Sequence, residues 1–288
     1  MNSPRPQRTL ADTAAVSGFG YWSSRDVRLE LRPAPANSGV TFVRGDLPGA
    51  PRIAVDVSHR QDVPRRTNLA IGNTHVEMVE HVLAALAGLR IDNCEVWTDA
   101  PEMPGPDGSS WPIVEALLGA GAVEQDALRR QLVIEEPLRI EWDGAVVIAE
   151  PHDGYRLEYQ LDYGEGPIGR QDFALELSAD SFLAEIARAR TFILQHEAEW
   201  LRERGLGLRA TNQDLLVFGA AGPIDNELRF ADECVRHKTL DLVGDLALAG
   251  CDLVGSFTAY RSGHKLNSEM VRQLLALEAA RHPESSHA

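Results

Sequence analysis

The stretch Glu233-Cys234-Val235-Arg236-His237-Lys238-Thr239-Leu240-Asp241-Leu242-Val243-Gly244-Asp245 leaves the chain little choice of local structure. It reads as a helix. Each i→i+4 step turns about 400°, so residues in that series drift by only about 40° around the axis. His237, Asp241 and Asp245 therefore share one narrow stripe, with Leu240, Leu242, Val243, Leu246 and Ala247 on the other side. An imidazole and two carboxylates facing away from a continuous apolar surface point to a site, because a plain surface helix mixes its charges more freely. A His and an Asp one turn apart can close on a single metal ion. The competing reading is an i,i+4 His–carboxylate pair on a solvated face.

Composition narrows the partners. The 288 residues suit one large domain or two smaller ones, and 44% apolar content is enough for a true core. A formal charge of −15 argues against nucleic acid as a partner. An anionic small molecule stays open if basic groups gather locally. The only two lysines, Lys238 and Lys265, each directly follow a histidine, His237 and His264. Three cysteines, Cys94, Cys234 and Cys251, without C-x-x-C spacing fit buried thiols in a reducing cytoplasm. Cys234 is a further candidate ligand, with a small buried residue as its other role. No apolar run follows the polar first eight residues as in a signal peptide, and none has the length of a membrane span. A cytoplasmic protein is expected, with no integral membrane segment and no obligate protein partner evident.

Along the chain, residues 1–10 read as a loose arm and alternation from Val16 onward as strands. Thr74-His75-Val76-Glu77 has the form of a capping box, so a helix is expected from Thr74, with Val79, Val82, Leu83 and Leu86 as its core stripe and Gly88 at its end. A strand at 93–97 and a short helix at 112–118 follow. Residues 119–126 are small and acidic and suggest a domain boundary. This gives domains at 1–125 and 126–280 and a disordered tail at 281–288. In the second domain, Asp143-Gly144 and Asp153-Gly154 signal hairpins. Asp180 is a plausible cap for a helix at 181–188, and a second helix is expected at 197–204. A buried strand at 215–218, another at 253–260 and a final helix at 266–280 complete the pattern. Both domains run strands, a helix containing Val-x-His (Val79-Glu80-His81; Val235-Arg236-His237), a glycine and a strand. The pattern suggests a duplication, and it offers a way for His81 and His237 to meet at an interface.

If they meet, His81, His237 and Asp241 supply two imidazoles and a carboxylate, the ligand set of a catalytic zinc ion with an open position. Glu80, beside a ligand, is placed as a general base. His264 is a second titratable group, which Asp245 could orient; on its own, His264 would read as a helix-capping or core histidine.

With these residues in view, the chain resembles the UDP-3-O-acyl-N-acetylglucosamine deacetylases, zinc enzymes of lipid A biosynthesis. The matching segments are 79–93 (VEHVLAALAGLRIDN), 101–109 (PEMPGPDGS), 189–192 (ARTF), 228–250 (LRFADECVRHKTLDLVGDLALAG) and 257–267 (FTAYRSGHKLN), in the family's order. The resemblance implies an α+β fold of two similar halves, each a helix pair layered on small sheets, with the active site at their interface. It implies zinc on His81, His237 and Asp241, with iron as the alternative in the cell. Glu80 would be the general base, His264 the general acid, and Asp245 its support. Thr191 would stabilise the oxyanion, and Phe192 and Lys238 would contact the acylated UDP-sugar. Two departures stand out. Gly20-Tyr21-Trp22-Ser23-Ser24 replaces the family's Gly-Leu-His-Ser-Gly, and Arg209-Ala210 replaces a Gly-Gly pair. Arg209 is therefore expected to touch the substrate, either forking onto its diphosphate or narrowing its acyl entrance. The rivals are the same chemistry on another N-acetylated sugar-nucleotide, and a non-catalytic protein holding zinc as a clamp, which would need neither Glu80 nor His264.

Overall fold

A computed structural model describes residues 3–281. In chain order it runs β1 (Pro6–Leu10), β2 (Ala14–Phe19), β3 (Asp26–Pro33), β4 (Val40–Arg44), β5 (Arg52–Ala54), β6 (Arg60–Gln61), β7 (Asn68–Ile71), β8 (Thr74–Val76), α1 (Glu80–Gly88), β9 (Cys94–Thr98) and α2 (Trp111–Ala120). The chain continues through β10 (Ala122–Leu128), β11 (Gln131–Val133), β12 (Leu138–Trp142), β13 (Ala145–Glu150), β14 (Tyr155–Asp162), β15 (Arg170–Glu176) and the short α3 (Ala179–Ser181). It ends with β16 (Phe192–Leu194), α4 (Gln195–Glu203), β17 (Leu216–Gly219), β18 (Gly222–Pro223), α5 (Glu233–Leu246), β19 (Asp252–Tyr260) and α6 (His264–Arg281). The expected disordered tail lies outside the described residues, apart from Arg281 at the end of α6.

This is an α+β protein, and two of its sheets share one plan. The first is ordered β2-β3-β9-β4-β5 and the second β12-β13-β19-β14-β15. In each, the central strand, β9 or β19, pairs antiparallel with one neighbour and parallel with the other. In each, a helix precedes the central strand and another follows it: α1 and α2 around β9, α5 and α6 around β19. Helix α1 packs on α5. The alternation read from the sequence matches the burial, with Val27, Leu29 and Leu31 of β3 all buried. Helix α5 is hidden on nearly every side, leaving only Arg236 and Lys238 half-exposed among residues 233–246. The solvated-face reading of its charges is thereby overturned.

Two additions stand outside these two sheets. The small sheet β6-β7-β8 stands between β5 and α1, and β16-β17-β18 stands between α3 and α5, with α4 crossing from β16 to its parallel partner β17.

Several local expectations are corrected. Thr74 does not cap a helix: residues 74–76 form β8, which pairs with β7 across the two-residue loop Gly72-Asn73. Pairing with a neighbouring strand outweighs the local capping pattern. Met78, at φ 58, then turns the chain, and α1 starts at Glu80. Residues 6–10 are no loose arm either, because β1 pairs with β10 and buries Leu10 at 1% exposure. The 125/126 boundary thus falls inside a strand. Asp143-Gly144 makes its hairpin, at φ 50 and 74, but Asp153-Gly154 does not, because β13 and β14 lie on opposite sides of β19. The helix at 181–188 is instead α3 followed by a π-helical turn at Phe182–Ile186, capped by Ser178, whose hydroxyl accepts from the Ser181 N–H.

Candidate active site

The crossing of α1 and α5 builds the site. Its closeness depends on Gly244: a Cβ there would stand 2.1 Å from the Glu80 carbonyl oxygen. The first turn of α1 thereby lies directly on α5, and His81 faces His237. Their rings meet edge to face, with centroids 5.1 Å apart. The Asp241 Oδ1 lies 3.3 Å from His237 Nε2 and 3.7 Å from His81 Nε2. One ligand atom from each of the three residues falls within 4.8 Å of the others, and all three side chains are buried.

Each of these groups is prepared for a cation. His237 Nδ1 is 3.1 Å from the Ala189 carbonyl, so it carries the proton and Nε2 is left as a lone-pair donor. Burial, with the neighbouring imidazole, pushes His81 down to about 3, and burial lowers His237 as well. Both rings are therefore neutral at pH 7. Burial works against the Asp241 carboxylate, yet the Lys238 ammonium holds it well below the usual range. Lys238 Nζ donates to Asp241 Oδ2 at 2.7 Å, leaving Oδ1 toward the imidazoles. Two neutral imidazoles and one anionic carboxylate, with space in front of them, fit an open divalent-metal site. Cys234 takes no part; its buried thiol is pushed up to about 12.

Glu80 and His264 stand beside this set with opposite proton preferences. Burial drives the Glu80 carboxyl up to about 7; His264 opposes the shift, and Asp241 and Asp245 add to it. For His264, burial disfavours the cation, but the Asp245 carboxylate outweighs it and lifts the imidazole to about 9. The His264 Nδ1 is 2.9 Å from Asp245 Oδ2, which also accepts from Asn267 Nδ2 at 2.8 Å. One carboxyl that titrates near neutrality and one imidazole charged above it form a base–acid pair. The Tyr159 hydroxyl donates to the Ser262 carbonyl and pins the loop that leads into His264.

Five of these residues, Glu80, His81, His237, Asp241 and His264, line a cavity of about 790 Å³, whereas Asp245 and its partner Asn267 do not. Thr191 and Lys238 line it too. So does Phe192, whose ring centroid is 6.3 Å from that of His237 and 5.6 Å from that of Tyr163. Arg209 is not brought into this lining. Its guanidinium meets Asp26 Oδ1 at 2.5 Å and stacks 4.4 Å over the Phe19 ring, away from the cavity, whereas Ala210 and Trp22 face inward. A second cavity of about 810 Å³ lies near the C-terminal ends of α1 and α5 and contains none of the site residues. Among the charges there, Arg5, Asp92, Arg129 and Asp252 are engaged with one another.

The sequence reading missed Thr67. It is fully buried, and its N–H donates to Glu80 Oε2 at 2.9 Å while its hydroxyl donates to Asp245 Oδ1 at 2.6 Å. Nothing in its sequence neighbourhood signals this role, because its partners are 13 and 178 residues away.

Comparison with known proteins agrees with the geometry. The family model of the UDP-3-O-acyl N-acetylglycosamine deacetylases matches residues 7–276. A UDP-3-O-acyl-N-acetylglucosamine deacetylase of Anaeromyxobacter sp. (strain Fw109-5) is 41% identical over 94% of this chain and 88% of its own length. Enzymes of the same name from Mannheimia succiniciproducens and Haemophilus influenzae are 38% and 39% identical, each over 95% of this chain and 91% of their own lengths. With a match that runs from β1 into α6 and spans every residue of the buried cluster, the chain belongs to the UDP-3-O-acyl N-acetylglycosamine deacetylase family.

Proposed function

We propose that this chain hydrolyses the N-acetyl group of UDP-3-O-acyl-N-acetylglucosamine, releasing acetate and UDP-3-O-acylglucosamine for lipid A biosynthesis, with zinc as its metal and iron as the alternative in the cell. The observation that carries this reading is the buried His81/His237/Asp241 set, lining one cavity together with Glu80 and with His264, which is bonded to Asp245. A zinc clamp would need no such flanking pair and no open cavity. A cytoplasmic setting follows from the proposed substrate; no helix among the described residues is long and apolar enough to cross a membrane. We also read the repeated sheet plan as a duplication, with the two units joined through β10, the strand that contains residue 125.

The cavity suits a molecule that is anionic at one end and apolar at the other. Ile193, Leu201, Leu206, Leu215 and Val217 give it an apolar wall for an acyl chain, and Lys238, Arg261 and Lys265 give it a basic side for the diphosphate. Phe192 offers its ring face to the sugar or base. Arg209 has no supporting contact as a substrate ligand in this arrangement.

His81, His237 and Asp241 would hold the cation, which when bound supplies Lewis acidity to the acetamide carbonyl and to the attacking water. Glu80, poised near neutrality, takes a proton from that water. Thr191, which lines the same cavity, would donate to the oxyanion that develops at the carbonyl. His264, charged through Asp245, gives its proton to the departing amine, and acetate leaves. The test is acetate release from the acylated sugar-nucleotide beside its unacylated analogue, together with metal content. About one divalent ion per chain, with chelation abolishing turnover of the acylated substrate, is expected. Activity indifferent to chelator on a metal-free protein would refute the reading.

A further inference from the structure

Thr67 uses all three of its polar groups, each on a different part of the site. The N–H donates to the Glu80 carboxylate at 2.9 Å and the hydroxyl to the Asp245 carboxylate at 2.6 Å. The carbonyl accepts from the N–H of Val79, the residue that caps α1, at 3.1 Å. The side chain is fully buried, and it lies between β6 and β7 in the small sheet that stands between β5 and α1.

The division of hydrogen bonds on Asp245 shows what the hydroxyl contributes. His264 and Asn267 both approach Oδ2, while Thr67 approaches Oδ1. A carboxylate with donors on one oxygen only can swing about its Cβ–Cγ bond; a short donor on the other oxygen fixes the plane. Fixing that plane fixes the imidazole bonded to it. Through its N–H, the same residue holds one oxygen of Glu80, leaving the other for the site. From these contacts we infer that Thr67 is a positioning residue that sets the general base and the general acid in register with each other. The inference rests on the deacetylase reading for its kinetic consequence and on the hydrogen bonds alone for its structural one.

Thr67→Val in the metal-loaded full chain tests it, because valine keeps the shape and the backbone bonds and removes only the hydroxyl. We expect kcat for acetate release to fall about 10- to 100-fold, with KM within about twofold and metal content unchanged, since the loss acts on proton transfer rather than on binding. Thr67→Ser restores the hydroxyl and should recover most of kcat. Independently of substrate, the hydrogen-bonded Nδ1 proton of His264 should give a low-field NMR resonance that moves or broadens in Thr67→Val and returns in Thr67→Ser. If valine prevents folding, Thr67→Cys makes the same comparison with a weak donor in place of a strong one. An unmoved His264 resonance in the folded variant, or a kcat within twofold of the wild-type value, overturns the inference. If the wild-type chain released no acetate, the deacetylase reading would fall, and the resonance comparison would still decide the role of Thr67.

Discussion

Replacing Gly244 by alanine adds one methyl group where α5 crosses α1. The ideal Cβ would lie 2.1 Å from the Glu80 carbonyl oxygen, 2.9 Å from its carbonyl carbon and 3.1 Å from its Cα. A carbon–oxygen contact in a packed interior needs about 3.2 Å or more, so the helices must part locally by roughly 1 Å. The obstacle is backbone, which has no rotamer to escape into. Overpacking of this kind costs about 1–3 kcal/mol, and the better helix propensity of alanine returns up to about 1 kcal/mol. The net loss should be about 1–2 kcal/mol, or roughly 2–3 °C in Tm for a chain of this size. The functional loss should be far larger. Glu80 and His81 ride on the displaced turn, while His237, Asp241 and Asp245 ride on the other helix. A 1 Å misplacement between the two sets should lower kcat/KM by on the order of 100-fold and weaken metal retention. Differential scanning fluorimetry, metal analysis and acetate release measure the three effects. Gly119→Ala is the matched control, since a Cβ there meets nothing within 4 Å; it should leave activity unchanged and not lower Tm. A Gly244→Ala protein with wild-type kcat/KM and an unchanged or higher Tm would refute the argument that this contact sets the site.

Three further outcomes follow from the site and its surroundings. Glu80→Gln should keep its metal and lose on the order of 100-fold or more in turnover; loss of the metal instead would make Glu80 a ligand. His264 must be charged to donate its proton, and its folded value of about 9 lies above the usual 6.5, so its part in turnover should be lost as pH rises through about 9, while protonation of the Glu80 base, raised to about 7, should lower turnover as pH falls through neutrality. His264→Ala should remove that basic limb along with most of the rate, and a limb that survives the substitution assigns it to another group. Ser24 sits at φ 58, in the left-handed region that favours glycine. Ser24→Gly should stabilise the fold by up to about 1 kcal/mol, seen as a Tm rise of a few degrees, and a fall in Tm would mean that the contact from the Arg209 N–H to the Ser24 hydroxyl outweighs the backbone strain.

The two departures at residues 20–24 and 209–210 turn out to be neighbours. Tyr21 donates to the Asp214 carbonyl, and the Arg209 N–H reaches the Ser24 hydroxyl at 3.3 Å, so the two loops are held together. From sequence alone, Arg209 reads as available to an anionic substrate, because nothing local claims it. Its actual partner, Asp26, lies 183 residues away. Net acidity makes such a competing carboxylate easy to find, and no reading of one loop at a time reveals which will be close.

What the amino-acid order determined by itself are the features carried by local periodicity. The extent of α5, the stripe of His237, Asp241 and Asp245 along it, the buried stripe of α1 and the Asp143-Gly144 hairpin all depend on residues within a few positions of one another. The ligand set could be named for the same reason, once two Val-x-His helices were supposed to meet. The tertiary structure alone decided where local and non-local preferences competed. Residues 74–76 had a helix-capping pattern and became a strand, because β7 offered a ladder of hydrogen bonds. The arm at 6–10 found β10, more than a hundred residues away. β13 and β14 read as partners and were parted by β19, which comes last in the sequence. Thr67 gained its place only when the β6–β7 turn was laid against Glu80 and Asp245. A hydrogen bond between distant segments leaves no periodicity in either, so contacts of that kind cannot be read before the chain is folded.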